Sequence, residues 1–247
     1  MYKAYDRGLN PTWCVGCGDW GVLRALEEAL AHLQLPPEDL VAVSGIGCSG
    51  RITGYMNAYT FHSAHGRALP VAQGVKLARP ELTVLALGGD GDGFAIGLNH
   101  TVQAARRNVD ITYIVMTNNL YGLTKGQTSP LSPQGFITSS TPHGSPDTPL
   151  VPALLMLAAG AGFIAQSSSA DREYLQETLV AAIRHKGFSF VNIFSPCVTF
   201  NKVHTYQWFK EHLRPASHDA SNLSAALSAV NESEGLLTGI IYSNMTR

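Results

Sequence analysis

Five short apolar runs, each stopping at a turn that carries polar chemistry, constrain this chain more than any other feature. Leu40-Val41-Ala42-Val43 runs into Gly45-Ile46-Gly47-Cys48-Ser49-Gly50, and Leu82 to Leu87 ends in Gly88-Gly89-Asp90-Gly91-Asp92-Gly93. Ile111 to Met116 stops at Thr117-Asn118-Asn119, Phe163 to Gln166 follows later, and Phe188 to Phe194 leads into Ser195-Pro196-Cys197. Continuous apolar runs of this length read as strands buried on both faces. Helical periods lie between them. Asp19 to Leu33 repeats apolar residues at Val22, Leu26, Ala29, Leu30 and Leu33, with Asp19 placed to cap the first turn; others run from about Phe94 to Arg107, near Ala153–Ala159 and from Asp171 to His185. The alternation predicts an α/β fold, a doubly wound and mostly parallel sheet covered by helices on both faces.

In such sheets ligands sit outside the carboxyl ends of the strands. The Cys48 turn, the Asp90 turn, Asn118-Asn119 and Ser195-Pro196-Cys197 all fall there, so one edge of the molecule should collect them. The stretch from Tyr121 to Pro149 is long, irregular and rich in Gly, Pro, Ser and Thr. Loops of that length are uncommon unless they bind something or disorder. No internal repeat or linker interrupts the chain, which reads as a single domain over residues 1–247 with a C-terminal excursion from about Trp208; Leu236 to Tyr242 is expected to add an edge strand.

Composition narrows the partners. With 17 Lys+Arg against 18 Asp+Glu the formal net charge is −1, which leaves no surplus to hold a nucleic-acid backbone or an anionic membrane. No apolar stretch reaches the roughly 20 residues of a membrane span, and Met1 to Asp6 is not followed by a signal-peptide apolar region. A cytoplasmic protein is expected. Only 14% of residues are charged, which suggests that part of the surface is covered by a partner subunit. Four cysteines, Cys14, Cys17, Cys48 and Cys197, are too few and too scattered for a disulfide framework. In a reducing compartment the Cys14–Cys17 pair reads as metal-binding or redox-active.

Gly89-Asp90-Gly91 and Asn118-Asn119 are separated by one helix and one strand, which brings the Asp90 carboxylate and the Asn118 amide oxygen to neighbouring strand ends. Mg²⁺ favours octahedral oxygen ligands, commonly one or two carboxylates plus phosphate oxygens, and the glycines let backbone N–H groups approach the phosphates. A magnesium diphosphate fits that arrangement. Gly-Asp-Gly alone is equally a tight turn with a helix-capping aspartate; the Asn pair favours the metal.

This pairing resembles the thiamine diphosphate motif, and the surrounding sequence resembles the beta subunit of 2-oxoacid:ferredoxin oxidoreductases, possessing features of the 2-oxoglutarate type. The resemblance is carried by Trp13 to Gly18, Gly45 to Arg51, Ala64-His65-Gly66-Arg67-Ala68, Gly91 to His100, Arg106 to Ile111, Asn118 to Pro130 and Ser195 to Asn201, and covers about Pro11 to Leu213, with Gly239 to Tyr242 similar to a late strand. It implies a thiamine diphosphate-binding fold. It also implies Mg²⁺ ligands at Asp90, Asn118 and the Leu120 carbonyl, a diphosphate surrounded by Gly91, Asp92, Gly122 and Leu123, and further cofactor contacts from Ile46, Gly47, Cys48, Ser49 and His65. His65 and Arg51 are the residues expected to be catalytic; a histidine in such a turn is otherwise a local hydrogen-bonding group.

Four cysteine thiolates commonly hold one [4Fe–4S] cluster, and here Cys14, Cys17, Cys48 and Cys197 would all be used. The competing readings are a structural zinc site and unliganded core thiols; zinc ribbons usually bring two paired C-x-x-C knuckles, which this chain lacks. The family's reaction is a coenzyme A-dependent oxidative decarboxylation of a 2-oxoacid, with ferredoxin as electron acceptor. Arg51 follows the Cys48 turn and could meet a substrate carboxylate, which favours 2-oxoglutarate over pyruvate; a surface role is the alternative. Lys125 and Gln127 are read as phosphate or partner contacts, or as solvated loop residues.

No glutamate stands where it could activate the aminopyrimidine ring. The resemblance assigns that residue to an alpha subunit, so an αβ unit is expected, doubled to α2β2 and silent without alpha. The chain carries no eight-cysteine ferredoxin-like insert, and a C-terminal segment beyond Tyr242 is expected to be missing or supplied by the partner. Two other readings remain at this point, a cluster-free thiamine decarboxylase or synthase subunit and a non-catalytic zinc-stabilised scaffold.

Overall fold

In the computed structural model, which describes residues 2–244, the chain runs through α1 (Asp19–Leu33), β1 (Leu40–Ser44), β2 (Tyr59–His62), α2 (Ala68–Ala78), β3 (Thr83–Gly89), α3 (Leu98–Arg107) and β4 (Thr112–Thr117). A small hairpin follows, β5 (Leu120–Tyr121) and β6 (Gln127–Thr128). Then come α4 (Pro152–Ala159), β7 (Phe163–Ser168), α5 (Arg172–Arg184), β8 (Ser189–Phe194), α6 (Tyr206–His212), β9 (Arg214–Pro215), α7 (Leu223–Glu232) and β10 (Leu237–Ser243). The main sheet has the order β2-β1-β3-β4-β8-β7-β10-β9. Its pairings are parallel from β2 through β7, while β10 meets β7 antiparallel.

The period of two along each strand builds the two sides of the core. Val41 and Val43 of β1, Val84 and Ala86 of β3, and Tyr113 and Val115 of β4 pack toward α2, α3, α4 and α7. Their neighbours Leu40, Ala42, Leu85, Leu87, Ile114 and Met116 pack toward α1 and α5. This is the doubly wound α/β sheet that buried strands joined by crossover helices produce. No helix among the described residues is long and apolar enough to cross a membrane.

Several local expectations change. The helix expected from Phe94 is broken: Asp92–Ile96 forms a π-helical turn, and α3 begins after Gly97. The long loop after Tyr121 contains the β5–β6 hairpin. β10 is not the edge of the sheet, because β9 lies outside it, and the opposite edge is β2, which the apolar pattern did not mark. The segment after Trp208 returns to the sheet through β10, with α7 packed beside α4.

Candidate functional site

The turns that follow β1, β3, β4 and β8 meet at the carboxyl edge of the sheet. A cavity of about 170 Å³ opens there, bordered by Ile46, Gly47, Cys48, Ser49, His65, Gly91, Asp92, Gly122 and Leu123 together with Asp90, Asn118 and Leu120. Every residue expected to touch the thiamine cofactor or its metal therefore lines one pocket. Asp90 is 1% exposed, and burial raises its carboxyl to about 6. The Ser129 hydroxyl donates to its Oδ2 at 2.5 Å and the Asn118 N–H to its Oδ1 at 3.4 Å. Asn118 Oδ1 accepts the Leu120 N–H at 3.1 Å, and the Asn118 carbonyl accepts from Asn201 Nδ2 at 3.0 Å. A buried carboxylate with no cation paired to it among the described residues, beside an amide oxygen and a backbone carbonyl, is an all-oxygen donor set that fits Mg²⁺.

Asp92 borders the same pocket but works inward. Its Oδ1 accepts the Ile46 N–H at 2.9 Å, the Gly66 N–H at 2.8 Å and His65 Nδ1 at 2.7 Å. The carboxylate fixes the histidine tautomer, with the proton on Nδ1 and Nε2 left without a partner among the described residues. Gly45 is required by this arrangement, since a Cβ there would lie 1.8 Å from Asp92 Oδ2. Gly91 is required by another: Tyr121 packs over it, and a Cβ would meet the ring at 2.2 Å.

The four cysteines are free thiols and all line a second cavity, of about 210 Å³. Cys48, Asn118, Gly122 and Leu123 border both cavities, so the two share a wall. A Cβ on Gly122 would lie 3.6 Å from Cys48 Sγ and 3.7 Å from Cys197 Sγ. Burial raises the Cys48 thiol to about 11 and lifts Cys17 further, with Asp19 and the neighbouring sulfurs adding to the effect. Buried thiolates of this kind need a bound cationic centre to be stable as ligands. No three His, Cys, Asp or Glu side chains among the described residues close tightly enough to hold a single metal ion. A tetrahedral zinc ion would draw its sulfurs close together. Four thiols around one cavity match the ligand count of a [4Fe–4S] cluster and use every cysteine of the chain.

Arg51 lines the cysteine cavity and His65 the other, so the two residues expected to be catalytic border different cavities. Lys125 lines neither cavity, and Gln127 folds back onto Thr124 of its own loop. No glutamate borders the cofactor pocket among the described residues. Asp19 is not a helix cap: Gly18 occupies that position with no side-chain bond, and the Asp19 carboxylate is buried against Ser49 and Ser195 instead. Its carboxyl is raised to about 6 by that burial. Ser129, Tyr121 and Asn201 also support the site; they lie inside stretches that carry the resemblance but were given no role, because a serine in a polar loop has no spacing signal of its own.

Residues 45–193 match the family described as thiamine pyrophosphate enzyme, C-terminal TPP binding domain, and residues 197–247 match the C-terminal family of the pyruvate ferredoxin oxidoreductase beta chain. The chain is 39% identical over 249 residues to 2-oxoacid:ferredoxin oxidoreductase 2, subunit beta, of Aeropyrum pernix, covering 95% of this chain and 81% of that one. It is 47% identical over 199 residues to 2-oxoglutarate oxidoreductase subunit KorB of Mycobacterium tuberculosis, covering 81% of this chain and 53% of that one. Among solved structures, 2-oxoglutarate:ferredoxin oxidoreductase from Magnetococcus marinus, with 2-oxoglutarate, coenzyme A and succinyl-CoA bound, superposes with a TM-score of 0.98 at 41% identity, covering 100% of this chain and 86% of that one.

Proposed function

The chain belongs to the beta subunits of the 2-oxoacid:ferredoxin oxidoreductases, and from that premise we propose that it is the thiamine- and cluster-bearing half of an enzyme that converts 2-oxoglutarate and coenzyme A to succinyl-CoA and CO2. The electron pair released leaves singly through one [4Fe–4S] cluster to ferredoxin, and the reaction is reversible. Beta-subunit membership implies an alpha partner; we assign it the activating glutamate, the doubled α2β2 assembly and a cytoplasmic setting as part of this reading. The observation that carries the proposal is the wall shared by the two cavities at Cys48, Asn118, Gly122 and Leu123.

Thiamine diphosphate supplies the electron sink for the carbanion left when CO2 departs. The chain's own residues do the holding. Asp90, Asn118 and the Leu120 carbonyl supply Mg²⁺ ligands, and the backbone of Gly91, Gly122 and Leu123 lines the diphosphate. Ile46, Gly47, Cys48 and Ser49 form the turn against the cofactor. Asp92 holds His65 so that Nε2 is the nitrogen available to move a proton. Cys14, Cys17, Cys48 and Cys197 would ligate the cluster, which would accept electrons one at a time, and Cys48 lines both cavities. Among the described residues Arg51 is the Lys or Arg that lines either cavity, and it is assigned to a substrate carboxylate. The 2-oxoglutarate preference is supported by the relatives named for that substrate and by the Magnetococcus marinus enzyme, which has it bound.

The test is to copurify the chain with its alpha partner and measure methyl viologen reduction with 2-oxoglutarate and pyruvate in parallel. Coenzyme A-dependent reduction, faster with 2-oxoglutarate, is expected. Reduction with pyruvate alone would reassign the substrate, and none with either 2-oxoacid would remove the proposed activity.

A further inference from the structure

Asp19 is 1% exposed, and no Lys, Arg or His is paired with it among the described residues. Each of its oxygens takes one hydroxyl: Oδ1 accepts from Ser195 at 2.7 Å and Oδ2 from Ser49 at 3.2 Å. These three residues belong to the three segments that carry the cysteines. Asp19 follows Cys17 and opens α1, Ser49 adjoins Cys48, and Ser195 precedes Cys197. Neutral ties also join the segments in pairs, with Trp13 Nε1 donating to the Cys48 carbonyl at 2.7 Å and the Gly18 N–H to the Pro196 carbonyl at 3.1 Å. Among the described residues Asp19 is the side chain that bonds both other segments at once. Burying a carboxylate without a counter-charge works against stability, and the start of α1 offsets only part of that. A capping role does not explain it, because the helix start makes no side-chain cap bond.

We propose that Asp19 is the positioning residue of the sulfur site: it locks the Cys14–Cys17, Cys48 and Cys197 segments in register, so that an iron–sulfur cluster binds to thiols already in place. The inference rests on the reading that these thiols hold a cluster. Preorganisation of this kind lowers the ordering cost of binding and is the usual work of groups just behind metal ligands.

The test uses the αβ complex purified without oxygen, comparing the wild type with Asp19→Ala and Asp19→Asn. Asp19→Ala should hold less than about half of the wild-type iron and sulfide, while thiamine diphosphate affinity stays within about threefold. In iron-free complex its backbone amides should exchange faster in all three cysteine segments. Asp19→Asn, whose amide can accept from one serine and donate to the other, should restore iron content. Its cluster should be reduced at a more positive potential, since a nearby negative charge has gone. Wild-type iron content and wild-type exchange in Asp19→Ala would overturn the positioning role. Should Asp19→Ala fail to fold, Ser195→Ala breaks one tie alone and should lower iron content; full iron there would overturn it equally. A wild-type complex without iron removes the cluster reading and this inference with it, whereas iron retained in wild type and Asp19→Ala alike sinks the inference only.

Discussion

Asp90 and Asp92 flank a single glycine and do opposite work. Asp90 keeps its carboxylate toward the pocket with a serine hydroxyl behind it, whereas Asp92 spends an oxygen on Ile46, His65 and Gly66. Replacing Asp90 with Ala should abolish Mg²⁺-dependent thiamine diphosphate binding, measured by calorimetry, and leave the visible absorbance of the cluster intact. Loss of both together would make Asp90 a structural residue. Gly45→Ala should destabilise the chain by about 2–4 kcal/mol in urea unfolding, because its Cβ must displace the Asp92 carboxylate from its donors. An unchanged midpoint would mean that the turn yields easily. That the expected cofactor residues gather around one pocket was legible because each sits in a short local motif near a strand end. Ser129 and the true role of Asp19 were not, since burial between distant loops is a tertiary property; an aspartate at a helix start reads as a cap until its neighbours are known.

Among the elements, α1 has the bounds its apolar stripe dictates, because Val22, Leu26, Ala29 and Leu30 are all fully buried against the sheet and α5. Leu26→Ala should cost about 2–5 kcal/mol, read as a lower denaturant midpoint at unchanged slope. A cost under about 0.5 kcal/mol would mean that the face is not part of the core. The central strands were equally legible, being apolar on both faces. β2 was not: Tyr59-Thr60-Phe61-His62 is mostly exposed at the sheet edge, so burial leaves no apolar run there to read. The break after Ile96 was also hidden, since a π-helical turn has the composition of the helix it precedes.

Over the whole molecule, pH acts through buried groups outside the two cavities as well as through Asp19 and Asp90. Burial raises Glu27 to about 7, with Arg24 at 3.2 Å opposing the shift. The folded chain therefore binds a proton that the unfolded chain has lost, and stability falls as pH rises from about 4.5 to about 7. Glu27→Gln should stabilise the protein by about 2 kcal/mol at pH 8 and give no gain near pH 4.5, as urea unfolding at both would show. Equal effects at the two values would contradict the assignment. His185 acts at the acid end: buried with neither ring nitrogen partnered among the described residues, it has a pKa lowered by desolvation, so stability falls as pH drops below about 6.5. Fold class and the gathering of the motifs at one sheet edge were legible at this scale, since strand ends in a parallel sheet share an edge. The side chains that brace the three cysteine segments against each other were not.

Iron, acid-labile sulfide and thiamine diphosphate quantified in one sample of the αβ complex, purified without oxygen, test most directly whether the two cavities hold what their residues fit. About four irons, four sulfides and one thiamine diphosphate per chain are expected. A colourless preparation with one zinc per chain, or with no iron, would contradict the account.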